Sequence, residues 1–254
     1  MSKRLDGKVA LITGTGGGQG RAAAIRFAQE GALVVGCDLF EKGNLETVEV
    51  VKEAGGMMTG MAPVDLSEPD KAKAWVEEAA AVHGRIDVVY NNASSPRFVP
   101  MPALSVEDWQ YTMRNELDLV FYVTKFAWPY LAERGGVIIN TASTSAYVAT
   151  PGVGMAAHSA AKGGVLALTR VFAADGAAHG IRAVSISPGA IKTPGSIKEH
   201  FHLPGAEEAV VSQLLVDRVG LPEDVAALAA FIASDEAAYM TGVDVLMDGG
   251  LTAL

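Results

Sequence analysis

Basic charge, cysteine and long apolar runs are all scarce in this sequence, and each shortage excludes a class of function. The 254 residues include 20 lysines and arginines against 29 aspartates and glutamates, for a net charge of −9. Nucleic acids and anionic membranes attract basic surfaces, so neither is expected as a partner. With a single cysteine, Cys37, the chain cannot form an internal disulfide or a zinc site built from thiolates.

No apolar run reaches transmembrane length. The first residues, M-S-K-R-L-D-G-K, contain neither the apolar core nor the cleavage site of a secretion signal. We therefore expect a cytoplasmic protein. Apolar residues make up 50% of the sequence, which is typical of a globular domain with a large core.

Short apolar runs alternate with helical patterns along the whole chain. Continuous apolar strands separated by helices predict an α/β fold: one Rossmann-type, doubly wound parallel sheet of about seven strands, with helices on both faces, in a single domain over residues 1–254. The predicted strands lie at Val9–Thr13, Leu33–Asp38, Ile86–Asn91, Val137–Asn140, Ala183–Ser187 and Val243–Met247, with a looser strand ending at Asp65. Helices are predicted at about 18–30, 44–54, 106–131 and 155–178; a further helix is predicted to be capped by Ser67, and another to begin at Pro222.

A glycine-rich loop follows the first predicted strand and precedes a helix. It reads T-G-T-G-G-G-Q-G, with Gly14, Gly18, Gln19 and Gly20 at its key positions. Glycines let the backbone turn tightly and approach a pyrophosphate, which the N–H groups at the helix start then bind. Alone, the cluster would also suit a flexible loop; between a strand and a helix it predicts a dinucleotide site.

Asp38 ends the second predicted strand, about 20 residues after the loop, where an acid accepts hydrogen bonds from the adenosine ribose hydroxyls. Its charge would repel the extra phosphate of NADP, and the nearest base in the sequence is Lys42. The alternative is a solvated aspartate at a strand end. We expect NAD as the cofactor.

At this point the sequence resembles the short-chain dehydrogenase/reductase family over almost its whole length. The glycine loop has the family spacing T-G-x-x-x-G-x-G, and the segment N-N-A-S resembles the family's N-N-A-G, with Ser94 in place of the glycine. The resemblance extends through S-P-G-A-I-K-T-P to the C-terminal D-G-G. It implies cofactor contacts from the glycine loop, Asp38 and Lys162, and from Leu39, Asp65, Leu66, Asn92, Ala93, Pro188, Gly189, Ile191 and Thr193.

The resemblance also implies a catalytic set. Ser143, in I-I-N-T-A-S, matches the serine that binds the substrate oxygen, and Lys162 matches the lysine of the Tyr-x-x-x-Lys motif. Asn115, in M-R-N-E-L-D, matches a helical asparagine that supports this lysine. His158 stands where the motif has its tyrosine.

The histidine changes the chemistry expected at this position. His158 and Lys162 are four residues apart and share one helix face. Imidazole titrates near neutral pH, so it suits a general base for alcohol oxidation, although it is shorter than a phenol. A histidine that only fills space is the alternative, and an introduced substitution would look the same.

The sequence therefore predicts an NAD-dependent oxidoreductase that transfers a hydride between the cofactor and an apolar or cyclic secondary alcohol or ketone. Residues 192–215 are expected to form a lid over the substrate. His200 and His202 lack a third ligand nearby, so no metal is expected. The resemblance implies a homotetramer. The alternative function is an NAD-binding protein whose catalysis has been lost or altered at His158.

Overall fold

The computed structural model describes residues 3–253, apart from the side chains of Glu199 and His200. The strands are β1 (Val9–Thr13), β2 (Leu33–Cys37), β3 (Met57–Met61), β4 (Val88–Asn91), β5 (Gly136–Thr141), β6 (Ile181–Pro188) and β7 (Val243–Met247). They form one parallel sheet in the order β3-β2-β1-β4-β5-β6-β7. This confirms the predicted α/β architecture.

The α-helices lie on both sides of this sheet. They are α1 (Gly18–Gln29), α2 (Glu41–Glu53), α3 (Pro69–His83), α4 (Val106–Met113), α5 (Leu119–Arg134), α6 (Ala156–Gly176), α7 (Pro194–Ser196), α8 (Ala206–Val211) and α9 (Pro222–Ala233). Helices α1, α2 and α9 contribute to the core on one face, and α3, α5 and α6 to the core on the other. Because both faces are covered, the central strands bury nearly every side chain, which explains their unbroken apolar runs.

The strand order places a crevice at the middle of the sheet. β1 pairs with β2 on one side and with β4 on the other. The first three strands therefore extend the sheet in one direction from β1, and the later strands extend it in the opposite direction. The loops that follow β1 and β4 therefore diverge at the carboxyl ends of the strands, where α/β proteins of this type bind their ligands.

Two local predictions were wrong. The single helix predicted over 106–131 is divided into α4 and α5 by a π-helical turn at Arg114–Asp118. Ser67 does not cap α3, which begins at Pro69, a residue whose fixed φ suits the first helical position. The Ser67 hydroxyl instead donates to the Asp65 carboxylate at 2.7 Å.

The segment 192–215 contains α7, a second π-helical turn at Ile197–Phe201, and α8. It crosses the carboxyl edge of the sheet, and an ion pair between Lys192 and Glu207 (2.6 Å) joins its two ends. Among the described residues, no helix is both long enough and apolar enough to cross a membrane.

Candidate functional site

A cleft of about 1380 Å³ opens at the carboxyl edge of the sheet, beside the crevice between β1 and β4. Most of the residues that the sequence singled out line it. These are Gly14, Gly18, Gln19, Asp38, Leu39, Asp65, Leu66, Asn92, Ala93, Asn115, Ser143, His158, Gly189, Ile191 and Thr193. The other three, Gly20, Lys162 and Pro188, are buried.

In the glycine loop, the backbone passes very close to the first turn of α1. Gly14 and Gly18 have φ values of +77° and +51°, a region that favours glycine. A Cβ atom at Gly20 would lie 2.0 Å from the Gly14 carbonyl oxygen, so only glycine allows the first turn of α1 to pack on this loop. A ligand phosphate can therefore reach the N–H groups at the start of α1.

The segment after β4 holds the loop in place. Thr13 Oγ1 accepts the backbone N–H groups of Asn92 and Ala93, each at 2.9 Å, and Asn92 Nδ2 donates to the Thr13 carbonyl at 3.0 Å. Asn92 and Ala93 thus fix the cleft wall as well as lining it. Thr13, which is fully buried, joins the two loops at the switch point.

Asp38 lies against the same loop. Its carboxylate accepts the N–H groups of Gly16 and Phe40, both at 2.7 Å. Sequence reasoning missed Arg21, a cation at the loop that donates to the Gly16 carbonyl at 3.0 Å. Since Arg21 also pairs with Glu46 at 3.0 Å, its charge is already compensated.

A buried polar atom lacks a partner in this cleft. Gln19 Oε1 is enclosed and has no hydrogen-bond partner among the described residues. An unpaired buried amide oxygen is costly, and a ligand donor at this point would satisfy it. With the glycine loop and the exposed start of α1, this atom makes the cleft a good fit for a dinucleotide.

The segment after β6 forms the opposite wall of the cofactor region. Gly189 donates its N–H to the Met247 carbonyl at 3.0 Å, which ties this segment to β7. A Cβ atom at Gly18 would lie 3.3 Å from Thr193, so the segment reaches the glycine loop. Thr193 therefore faces the loop across the cleft, and Ile191 also lines the cleft.

His158 lies near the start of α6, between a hydroxyl and a carboxylate. Its Nε2 atom is 3.4 Å from Ser143 Oγ, and its Nδ1 atom is 2.7 Å from Glu116 Oε2. Ser143 Oγ is in turn held by the Ser145 N–H at 3.1 Å. The imidazole therefore directs one nitrogen towards a buried acid and the other towards Ser143 in the cleft.

Lys162 is one turn further along α6 and is almost completely buried. Its ammonium donates to the Thr141 carbonyl at 2.9 Å and lies 3.7 Å from Glu116 Oε1. A buried ammonium needs such partners, because its desolvation is otherwise costly.

The residue beside Lys162 is thus Glu116, one position after the predicted Asn115. The Asn115 amide instead donates to the Tyr111 carbonyl of its own helix at 2.9 Å. Successive helical residues point about 100° apart, so a shift of one position selects a different face. The only sequence signal for Glu116 was an acid next to the apolar run of α5.

The Glu116 side chain is fully buried and remains ionised. Burial alone raises the pKa of this carboxyl group, but the charge of Lys162 and the hydrogen bonds from His158 and Ser94 outweigh it, so that the pKa falls below its ordinary value. Ser94 donates to Oε1 of this carboxylate. Ser94, which stands in place of the family's glycine, thus has a polar contact in the site.

The substrate end of the cleft is apolar. The Phe98 ring packs edge-on against His158 with ring centroids 5.3 Å apart. Arg97, in the same loop, pairs with Asp108 at 2.6 Å and covers the Tyr111 ring at 4.0 Å. Further apolar lining comes from Val153, Met155, Phe201, Val210 and Leu251.

Metal ligands were considered at His200 and His202, and the His200 side chain lies outside the described residues. Across the described chain, no group of three or more histidine, cysteine, aspartate or glutamate side chains could hold a metal ion.

Comparison with known proteins agrees with this architecture. Residues 14–252 match the family model described as enoyl-(acyl carrier protein) reductase. The chain is 38% identical over 252 residues to the 3-oxoacyl-(acyl-carrier-protein) reductase of Thermotoga maritima, covering 98% of this chain and 99% of the relative. It is 36% identical over 256 residues to the cyclohexanol dehydrogenase of an Acinetobacter strain, covering 100% and 98%. A short-chain type dehydrogenase/reductase from Mycobacterium marinum superposes with a TM-score of 0.93 at 28% identity, covering 100% of this chain and 98% of the other.

Proposed function

Because the chain belongs to the short-chain dehydrogenase/reductase family, we propose that it is an NAD-dependent dehydrogenase that interconverts a secondary alcohol and its ketone. The observation that carries the proposal is the position of His158. Its Nε2 atom lies beside Ser143 Oγ on the wall of the cleft that also holds the glycine loop. A proton acceptor, a hydroxyl donor and a dinucleotide site therefore share one cavity.

In this proposal His158 occupies the place of the family's tyrosine and acts as the general base. Nε2 takes the proton of the substrate hydroxyl, and Ser143 donates a hydrogen bond to the same oxygen. The nicotinamide, when bound, supplies the hydride acceptor. Lys162 holds the cofactor ribose, and its own side chain is held by Thr141 and Glu116.

The preference for NAD rests on Asp38. Its carboxylate is fixed at the end of β2 by two backbone N–H groups, with acceptor capacity left for the ribose hydroxyls. A phosphate on the ribose would meet this negative charge. Arg21, the cation at the loop, already has several partners of its own.

The apolar wall of Phe98, Val153 and Met155 supports an apolar or cyclic substrate. One relative is named for cyclohexanol, which agrees with this class. Segment 192–215 contributes Phe201 and Val210 to the same wall, as a lid over the substrate would.

We also propose that the protein is a homotetramer. Helices α4, α5 and α6 expose large apolar side chains, among them Trp109, Phe121 and Val171, with 38%, 42% and 49% of their surface accessible. Exposed apolar side chains on these helices support an interface between copies of the chain. Light scattering of the purified protein tests the assembly directly.

The test of the activity is reduction of NAD and of NADP by the purified protein over a panel of cyclic and linear secondary alcohols, followed at 340 nm. The proposal predicts turnover with NAD, fastest for cyclic alcohols. Faster turnover with NADP would overturn the cofactor assignment. Binding of NADH without turnover of any alcohol or ketone would instead support a cofactor-binding protein.

A further inference from the structure

Among the described residues, the acid in contact with His158 is Glu116, which lies on a different helical segment. We propose that Glu116 is a positioning residue that fixes the proton of His158 on Nδ1 and so keeps Nε2 free to accept the substrate proton. This inference rests on the proposed function, in which His158 is the base.

The first step of the argument is the chemistry of the contact. An ionised carboxylate has no proton to donate, so in the 2.7 Å contact the donor must be Nδ1–H of the imidazole. A neutral imidazole carries one proton, which leaves Nε2 as the acceptor. Nε2 is the atom that faces Ser143 and the cleft.

The second step is how firmly the carboxylate is held. Oε1 accepts the Ser94 hydroxyl and lies 3.7 Å from Lys162, while Oε2 contacts His158. Both oxygens therefore have partners, and a fully buried side chain has little freedom to turn. The Glu116 carboxylate lies closer to His158 than to Lys162, so its principal contact is with the imidazole.

The third step concerns the positive charge that the His158 imidazole gains during the reaction. The hydroxyl proton of the alcohol passes to Nε2, the carbinol hydride passes to NAD, and the carbon–oxygen bond becomes a carbonyl. The imidazole then carries one positive charge beside the ammonium of Lys162. Glu116 offsets that charge, because its carboxylate lies next to both groups.

The described groups beside the imidazole come from four segments. The π-helical turn contributes Glu116, α6 contributes Lys162, the end of β5 contributes Ser143, and the loop before α4 contributes Phe98. Of these, only Glu116 and Lys162 carry charge. Removing the carboxylate should therefore make the protonated imidazole less stable and move the pH–rate profile to lower pH.

The experiment compares the wild type with E116Q, E116D and the control E107Q, which removes an exposed acid from the neighbouring α4. For E116Q we expect kcat to fall by about 10²- to 10⁴-fold, as when an orienting carboxylate becomes an amide. The midpoint of the residual pH–rate profile should fall. E116D should recover part of kcat, and E107Q should match the wild type.

A second readout does not need turnover. ¹⁵N NMR of histidine-labelled protein, with His158 assigned from the H158N variant, reports which ring nitrogen carries the proton. The proposal predicts Nδ1–H in the wild type and a shift towards Nε2–H in E116Q, whose amide can donate to Nδ1. If no alcohol is oxidised, the proposed function fails, and this spectrum alone decides the role of Glu116.

Two results would overturn the proposal. One is Nε2–H as the main form in the wild type. The other is an E116Q protein that is folded by circular dichroism and keeps the wild-type kcat and pH profile. If E116Q fails to fold, the position of the proton in the wild-type spectrum decides the proposal.

Discussion

His158 Nδ1 and Glu116 Oε2 lie 2.7 Å apart, although 42 residues separate them in the chain. The contact exists because α6 packs beside the π-helical turn between α4 and α5. A histidine that only filled space would not need a fully buried carboxylate as its partner, since burying that charge is costly. This contact is the basis of the role proposed for Glu116.

The glycine loop should not tolerate a side chain at its tightest point. G20A places a Cβ atom 2.0 Å from the Gly14 carbonyl, and the backbone must move to relieve the clash. Overpacking of this kind costs about 1–3 kcal/mol, which lowers the melting temperature by roughly 2–4 °C per kcal/mol in a domain of this size. The control is G17A, because Gly17 is extended and a Cβ there meets nothing within 4 Å. Thermal unfolding should separate the two variants, and equal melting temperatures would contradict the described loop packing.

The choice of cofactor should depend on the charge of Asp38. In D38N the side chain keeps its shape and loses the charge that repels a ribose phosphate. We expect the ratio of kcat/KM for NAD to that for NADP to fall at least about tenfold, equivalent to ~1.4 kcal/mol. D6N, which removes an exposed charge outside the cleft, is the control. An unchanged ratio in D38N would remove the basis for NAD preference.

The stability of the protein in acid should depend on Glu116. Its pKa is lowered in the folded state, chiefly because Lys162 and the hydrogen bonds from His158 and Ser94 outweigh the effect of burial. The carboxylate therefore stabilises the fold above its unfolded-state pKa of about 4.3, and this contribution is lost as the pH falls further. Urea unfolding between pH 5 and pH 3 should show a steeper loss of stability in the wild type than in E116Q. Parallel curves would mean that the carboxylate is not stabilised in the folded state.

Much of the fold could be predicted from the sequence, because its signals are local. The apolar runs of the central strands and the glycine loop each specify their structure within a few residues. Boundaries were less accurate: Ile86 and Asp87 were assigned to β4, which begins at Val88. The Asp87 carboxylate instead accepts the Val9 N–H at 2.7 Å, a contact that depends on the tertiary structure.

The role of Glu116 could not be predicted in the same way. Whether residue 115 or 116 faces Lys162 depends on the rotation of the helix at that point, and the π-helical turn changes this rotation. Nothing in the sequence indicates that Ser94 donates to the Glu116 carboxylate, because the loop after β4 and the π-helical turn come together only in the folded protein.

The central claim is that His158 is the base of an NAD-dependent dehydrogenase, and the rate of NADH formation by variants at this position tests it most directly. The wild type, H158Q and H158Y should be compared from pH 6 to pH 10 on the best alcohol of the panel. The account predicts that the wild type forms NADH and that H158Q is slower by about 10²- to 10⁴-fold across this range. Turnover by H158Y alone, with an inactive wild type, would contradict it.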